Sequence, residues 1–380
     1  MSALKAMQNR QVKSEIAGVK IDDLVAEFGS PLFVYSERSL RRKFFTIRNA
    51  FAIRYPDVAF SWSYKTNHLK AICAIMHSCG AMAELVSKIE YDKAKSLGIL
   101  ENQIILNGPH QPFETLEAAV RDGAIVNVDC LDKIYDLEAI ATRIGQVISV
   151  GLQLNFDVGI QPKWSRFGFN LESGQAMEAI RRIASGGKLR VNGLHSHINP
   201  FIIEPATYTI QVEKIVKFGY QIEAEFGWRM QSINIAGGFP SRSRRKGMYH
   251  ASEVILPLID EYADAICDAL WANLKPGHTP KLIIESGRAM AEEAGTLITT
   301  VCRTKCLPDR TSSYVVNAID EGISLPPLSR GTRLVISTIG AYNNRQWMQF
   351  MASRPNVVLV TETGNLELMR EAEYLSDLEC

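Results

Sequence analysis

The sequence predicts an α/β protein: a TIM-type (β/α)8 barrel followed by a C-terminal all-β domain. Two observations carry that expectation. Between residues 58 and 285, eight short apolar runs of strand character alternate with segments of helical spacing, the pattern of a parallel sheet closed on itself. Beyond about Ala291 the helical segments stop and strand-like runs follow one another through turns. With 380 residues, 46% hydrophobic and 22% charged, the chain has material for one large domain and a smaller one.

Taken in order, a polar leader gives way to helical spacing over Lys20–Phe28, a short strand at Pro31–Tyr35 (PLFVY) and a basic helix over Ser36–Ala52. The expected barrel strands are Val58–Tyr64, Ala81–Val86, Gln103–Leu106, Ala124–Val128, Val150–Asn155, Val191–His197, Ser232–Ile235 and Leu282–Glu285. Helices are expected over Leu69–Ser78, Lys88–Ser96, Thr115–Asp122, Leu131–Arg143, Gly174–Ala184, Thr207–Phe226 and Ala251–Trp271. The later strands are Gly295–Cys306, Ser313–Ala318, Arg333–Ser337, Asn356–Thr361 and Leu366–Arg370, with turns such as Pro308-Asp309 and Thr363-Gly364-Asn365 between them. The expected domains are residues 1–37, a segment whose PLFVY strand joins the β domain; 38–290, the barrel; and 291–380, the β domain.

Composition excludes some functions. A net charge of +1 provides no footing for nucleic acid or an anionic membrane, and the one basic cluster, Arg242 to Lys246, reads as an exposed loop. No apolar run reaches membrane-spanning length, and the first twenty residues lack the apolar centre of a signal peptide, so the expected location is the cytoplasm. Seven cysteines without CxxC spacing read as reduced thiols.

In a parallel barrel the working groups gather where the strands end. Read with strand period, VAFSWSYKTN (Val58–Asn67) puts Ala59, Ser61, Ser63 and Lys65 on one face and Val58, Phe60, Trp62 and Tyr64 on the other. A lysine among small residues leaves room for a flat cofactor held as an imine, although an arbitrary lysine in this setting simply snorkels to solvent. LHSHINP (Leu194–Pro200) carries His195 and His197 on one face, suited to lying against a ring or to being satisfied polar groups of a core. INIAGGFP (Ile233–Pro240) follows a strand with Gly237 and Gly238, whose bare backbone can approach a phosphate, though tight turns also use such pairs. LIIESGRAM (Leu282–Met290) ends a strand in Glu285 and continues to Gly287 and Arg288, a carboxylate and a guanidinium able to serve two ends of one ligand or to form an ordinary ion pair.

Together, SYKTN around Lys65, GLHSHI at Gly193–Ile198, AGGF at Ala236–Phe239, ESGR at Glu285–Arg288 and GAY at Gly340–Tyr342 resemble the fold-type III pyridoxal-phosphate decarboxylases, the group of diaminopimelate, ornithine and arginine decarboxylases. The resemblance runs from GSPLFVY at Gly29–Tyr35 to the closing stretch Val357–Glu373, with Glu90 at the usual acidic position. It implies pyridoxal 5'-phosphate as cofactor, no metal, and a homodimer whose sites lie at the subunit interface. It also implies Lys65 as the imine-forming lysine, His197 stacked on the ring, and Glu285 on the pyridinium nitrogen. Gly237, Gly238, Gly287 and Arg288 would cup the phosphate, helped by the Tyr342 hydroxyl.

Some positions depart from the family pattern. Asn199-Pro200 stands where a serine usually serves the phosphate, and proline has no amide hydrogen to donate. Gln153 stands for a common arginine, and Ala236 or Pro240 for a third glycine. Between Tyr314 and Tyr342 the chain passes almost directly from one strand to the next, without the cysteine-bearing segment that reads the substrate and donates a proton. Asp320 or Glu321 is the expected substitute donor, and an unusual or conjugated amino acid the expected substrate. Two other readings are kept: a racemase or a cofactor-carrying protein without decarboxylase activity, and a zinc-dependent barrel hydrolase built on the HSH pair. Glu285 argues against the racemase type, which uses an arginine there; the zinc site lacks further histidines at strand ends, since only His250 and His278 follow.

Overall fold

The computed structural model describes residues 12–160, 165–242, 256–318, 325–349 and 352–378. They form two compact units, residues 41–290 and residues 1–40 with 291–380.

The second of these units begins with an antiparallel hairpin, β1 (Glu15–Ile16) and β2 (Val19–Lys20), inside the stretch read from sequence as a polar leader. Two residues per strand are too few to write an alternating pattern. The helix α1 (Ile21–Phe28) follows, with Asp22 and Asp23 in its first turn where the exposed amides favour negative charge. Next, β3 (Leu32–Ser36) is buried along its whole length, the burial expected of a strand with neighbours on both edges and cover on both faces.

The barrel unit takes up the chain in α2 (Glu37–Ala52). It continues as β4 (Val58–Ser63), α3 (Lys70–Ser78), β5 (Met82–Leu85), α4 (Lys88–Ser96), β6 (Ile104–Leu106), α5 (Phe113–Asp122), β7 (Ile125–Val128), α6 (Leu131–Ile144) and β8 (Ile148–Asn155). A two-residue strand, β9 (Phe169–Asn170), pairs only with β8. Then come α7 (Gln175–Gly186), β10 (Leu189–Ser196), α8 (Ala206–Phe226), β11 (Ser232–Ala236), α9 (Ile259–Asn273) and β12 (Lys281–Ser286). The strands run β10-β11-β12-β4-β5-β6-β7-β8, and β10 pairs back onto β8, so eight parallel strands close into a barrel. Helical faces explain the outer layer: α6 buries Ile134, Leu137, Ile140 and Ala141, and α7 buries Ala176, Ala179, Ile180 and Ile183, each set spaced at three and four residues.

One helix differs from expectation. The spacing predicts α9 from Ala251; residues 251–255 lie outside the described ones, and the helix begins at Ile259. Pro257 pushes the residue before it out of helical geometry, and the start is fixed instead by Glu261, whose carboxylate accepts the Leu258 amide at 2.7 Å.

The β unit is completed by β13 (Gly295–Cys306), β14 (Ser312–Val316), β15 (Arg333–Ser337), β16 (Asn356–Val360) and β17 (Leu366–Arg370). Its sheet runs β14-β13-β3-β16-β17, with β15 also on β13. The strand β3 is antiparallel to β13 and parallel to β16. The core joins Leu24 to Leu32, Val34, Ile298, Val358 and Val360, all buried. Among the described residues no helix is long and apolar enough to cross a membrane.

Leu24 is fully buried in that core. Leu24→Ala should leave a cavity and cost about 2–5 kcal/mol, measured as a lowered urea midpoint; an unchanged midpoint would show that α1 does not contribute to the stability of the unit.

Candidate active site

Lys65 sits in the turn that ends β4, and the turn is fixed from behind. The Tyr64 amide donates to the Glu84 carbonyl and the Thr66 amide to the Ser63 carbonyl, each at 3.0 Å. His77 Nδ1 donates to the Ala81 carbonyl at 2.8 Å, which leaves Nε2 to accept the Tyr64 hydroxyl at 2.7 Å. Burial pushes the Tyr64 hydroxyl far above its ordinary range and holds the His77 imidazole below its own. Both groups therefore stay neutral. Thr66 packs where Gly287 lacks a side chain: a Cβ at 287 would stand 1.9 Å from Thr66 Oγ1. The lysine turn and the Glu285-Ser286-Gly287-Arg288 stretch thus interlock.

The lysine faces a polar cluster inside the barrel. Lys65 Nζ donates to Glu84 Oε2, and Glu84, on β5, is fully buried. Asn107, just past β6, donates from Nδ2 both to Glu84 Oε1 at 3.1 Å and to Glu285 Oε1 at 2.9 Å. Glu285, near the end of β12, also accepts from Asn234 of β11 at 2.6 Å, and His195 Nε2 of β10 stands 3.5 Å from its other oxygen. Strands β6 and β12 are not neighbours, nor are β10 and β12, so these contacts cross the barrel interior. Burial pushes the Glu84 carboxyl above its ordinary range, Lys65 pulls it partly back, and the charge of Glu285 pushes it up again. Burial acts the same way on Glu285, but His195, Lys65 and the Asn107 amide outweigh it and hold this carboxyl down at about 2. The surroundings thus favour the ionised form of Glu285 and weigh against that of Glu84.

His197, one residue past β10, donates from Nδ1 to the Ala236 carbonyl at 2.7 Å, and burial lowers its pKa to about 4. It is a neutral ring at physiological pH. Gly237 and Gly238 follow β11 with φ of 53° and 89°, a region that side chains disfavour. A Cβ on Gly238 would come within 2.6 Å of the Asn199 carbonyl and 2.8 Å of the Tyr208 hydroxyl, and one on Gly237 would rest 3.4 Å from the His197 ring. The Gly237 amide is committed to the Glu285 carbonyl at 2.8 Å, so close approach of bare backbone, rather than hydrogen donation, is what this residue offers a ligand. Beside Ile198, at the ends of β8 and β9, a cavity of about 220 Å³ is lined by Asn155, Asp157, Asn170 and Glu172 among others.

The structure therefore gathers Lys65, His197, Gly237, Gly238, Glu285 and Gly287 around the ends of β4, β10, β11 and β12. Arg288 follows directly on Gly287, half-buried at the head of a four-residue helix. Tyr342 belongs to the β unit, where its backbone is left-handed (φ 67°) and its carbonyl accepts the Arg345 and Gln346 amides at 2.9 Å. Asp320 and Glu321 lie outside the described residues. Glu90 caps α4: its amide donates to the Ser87 hydroxyl at 3.4 Å while its carboxylate accepts the Val86 amide at 2.8 Å. His195 and His197 turn to different partners, and among the described residues no group of three or more His, Cys, Asp or Glu side chains is placed to hold a metal ion.

Comparison with known proteins decides the family. The family described as "Pyridoxal-dependent decarboxylase, pyridoxal binding domain" matches residues 37–292. The chain belongs to the pyridoxal-dependent decarboxylases. A diaminopimelate decarboxylase of Aquifex aeolicus is 28% identical over 320 residues, covering 81% of this chain and 70% of that one. Another, of Bacillus subtilis, is 27% identical, covering 98% of this chain and 95% of its own length. The crystal structure of a diaminopimelate decarboxylase from M. jannaschii superposes with a TM-score of 0.86 at 23% identity, covering 97% of this chain and 96% of that one. The barrel followed by a β domain is thus the fold of this family.

The residues present fit pyridoxal phosphate. An amine and a firmly ionised carboxylate open on one cluster, glycines stand where a Cβ would collide, and Ser61 Oγ, Ser196 Oγ and Asn234 Oδ1 are buried without a hydrogen-bond partner. Sequence reasoning missed Glu84, Asn107, Asn127 and Asn234. Each is a lone polar residue in or directly after an apolar strand, as in MAEL and IILN, and that was the available signal.

The depressed histidines set a pH dependence. An unfolded imidazole titrates at about 6.5, so between about 6.5 and about 4 the unfolded chain binds a proton that the folded His197 refuses, and stability falls as pH drops through that window. His197→Phe should flatten the profile of urea midpoints between pH 7 and 4.5, leaving the share due to His77; an undiminished slope would refute the assignment.

Proposed function

We propose that the chain decarboxylates an α-amino acid on pyridoxal 5'-phosphate with Lys65 and Glu285 at opposite ends of the cofactor. Decarboxylation with this cofactor follows from the family; the roles of the residues are our reading. The observation that carries it is the continuous line of contacts Lys65–Glu84–Asn107–Glu285, which joins the amine and the ionised carboxylate in one hydrogen-bonded cluster. When bound, the cofactor supplies an electron sink for the pair left by departing carbon dioxide, provided its ring nitrogen keeps a proton. Glu285 holds that proton, since its own carboxyl is far too acidic to take it. Lys65 would anchor the cofactor through its side-chain amine. Glu84, beside Nζ, accepts and returns protons as the lysine amine is released and recaptured. His197, a neutral imidazole held by the Ala236 carbonyl, would support the ring. Gly237, Gly238, Gly287 and Arg288 would hold the phosphate, and the family resemblance adds the Tyr342 hydroxyl to that role.

Because the relatives are named for diaminopimelate, that amino acid is the first substrate to assay. The polar cavity at Asn155, Asp157, Asn170 and Glu172 suits the charged far end of such a molecule. The short connection between Tyr314 and Tyr342 supports the second reading, a larger conjugated amino acid, with Asp320 or Glu321 as proton donor. A homodimer with shared sites belongs to the same proposal and is measured by sedimentation.

Borohydride reduction of the loaded protein should fix the cofactor on Lys65, located by peptide mass mapping, and Lys65→Ala should abolish both label and carbon dioxide release. Label on another lysine would sink the reading. Glu285→Gln should slow release by about 10²–10³-fold while leaving the label in place. If diaminopimelate, lysine, ornithine, arginine and their conjugates release no carbon dioxide but exchange the α-hydrogen in heavy water, racemisation replaces decarboxylation.

A further inference from the structure

Asn107 has a constrained position. Its Nδ2 carries two hydrogens and both are used, one on Glu84 at 3.1 Å and one on Glu285 at 2.9 Å. Its Oδ1 accepts from Asn127 Nδ2 of β7 at 2.6 Å. Turning the amide over would set oxygen against two carboxylate oxygens and one NH2 group against another, so Asn127 locks the orientation. Asn127 is in turn seated by an absent side chain: a Cβ at Gly151 of β8 would fall 1.8 Å from its Oδ1. Four consecutive barrel strands, β5 to β8, thus supply one fixed donor between two buried carboxylates. Without it, the pair would face each other across a low-dielectric interior, where like charges are poorly tolerated.

We propose that Asn107, locked by Asn127, is a positioning residue that holds Glu84 and Glu285 as one unit, so that the charge beside the lysine and the charge beside the ring nitrogen are set together. The inference rests on the proposed roles of those two carboxylates. The charged or titratable groups facing the pair are Lys65, His195 and His197. In Asn107→Leu the pair keeps its volume but loses its shared donor, and Glu84 then holds a proton to higher pH. A carboxylate whose folded pKa lies above its unfolded value of about 4.3 loses stability as pH rises through that interval.

The test uses the protein without cofactor and again loaded. Urea midpoints of the cofactor-free Asn107→Leu protein between pH 5 and 8 should fall progressively below wild type as pH rises, and adding Glu84→Gln should cancel the pH-dependent part of the loss. In the loaded state Asn107→Leu should weaken pyridoxal phosphate by about fivefold or more, with Glu84→Gln recovering part of it. An Asn107→Leu profile parallel to wild type, or one that Glu84→Gln leaves unchanged, overturns the proposal. Should Asn107→Leu not fold, Asn127→Ala, which frees the amide to turn but keeps its hydrogens, carries the same comparison in the same direction. Failure of borohydride to label Lys65 would sink the functional reading, yet the cofactor-free pH profile would still judge Asn107 by itself.

Discussion

Closing eight parallel strands into a barrel forces their carboxyl ends into a common ring, and that closure is what the site depends on. Side chains that are far apart in sequence then have only one another for partners. Glu84, Asn107, Asn127, His195, Asn234 and Glu285 are all nearly or fully buried, and a buried charge must be paired or hydrogen-bonded to be tolerated. The cluster meets that demand unevenly. Glu285 has two amide donors and an imidazole; Glu84 has one amide, the Ser63 side chain and a lysine that is partly open to solvent. The two carboxyls therefore shift in opposite directions, Glu285 held down chiefly by His195 and Glu84 pushed up chiefly by burial.

The architecture was largely legible in the sequence because period and length write directly into it. The alternation between Val58 and Glu285 marks strands and crossover helices, and the loss of helical spacing beyond Ala291 marks the change of unit. Boundaries were lost where a local rule outweighed periodicity, as at Pro257 before α9, or where an element was too short to show a period, as in β1, β2 and β9. Motif residues were legible for a different reason. Lys65, His197, Gly237, Gly238, Glu285 and Gly287 carry chemistry unusual for their strand ends. Asn107 and Asn127 do not. An asparagine after three apolar residues reads as a turn, and its partners on β5, β7 and β12 exist only once the barrel is closed. Gly237 keeps only its bare backbone to offer a ligand, since the Glu285 carbonyl takes its amide hydrogen.

The relatives shift the expectation about the substrate without removing its basis. Their names point to diaminopimelate, a small, doubly zwitterionic amino acid, and an unusual substrate is therefore the second reading. The stretch from Tyr314 to Tyr342 is where this chain differs most visibly from the family pattern.

The strand β3 lies at the centre of the second sheet, between β13 and β16, yet it is translated before any barrel strand. During synthesis its apolar edge and faces must wait, unpaired, while the ribosome makes the entire barrel and only then the strands that receive it. The barrel can close as soon as β12 has emerged, whereas the β unit is knitted from strands on either side of the barrel in sequence and completes only after β17 has emerged. A nascent chain stalled before Val360 would carry a finished barrel with a sticky, edge-exposed strand, the kind of intermediate that holding chaperones recognise.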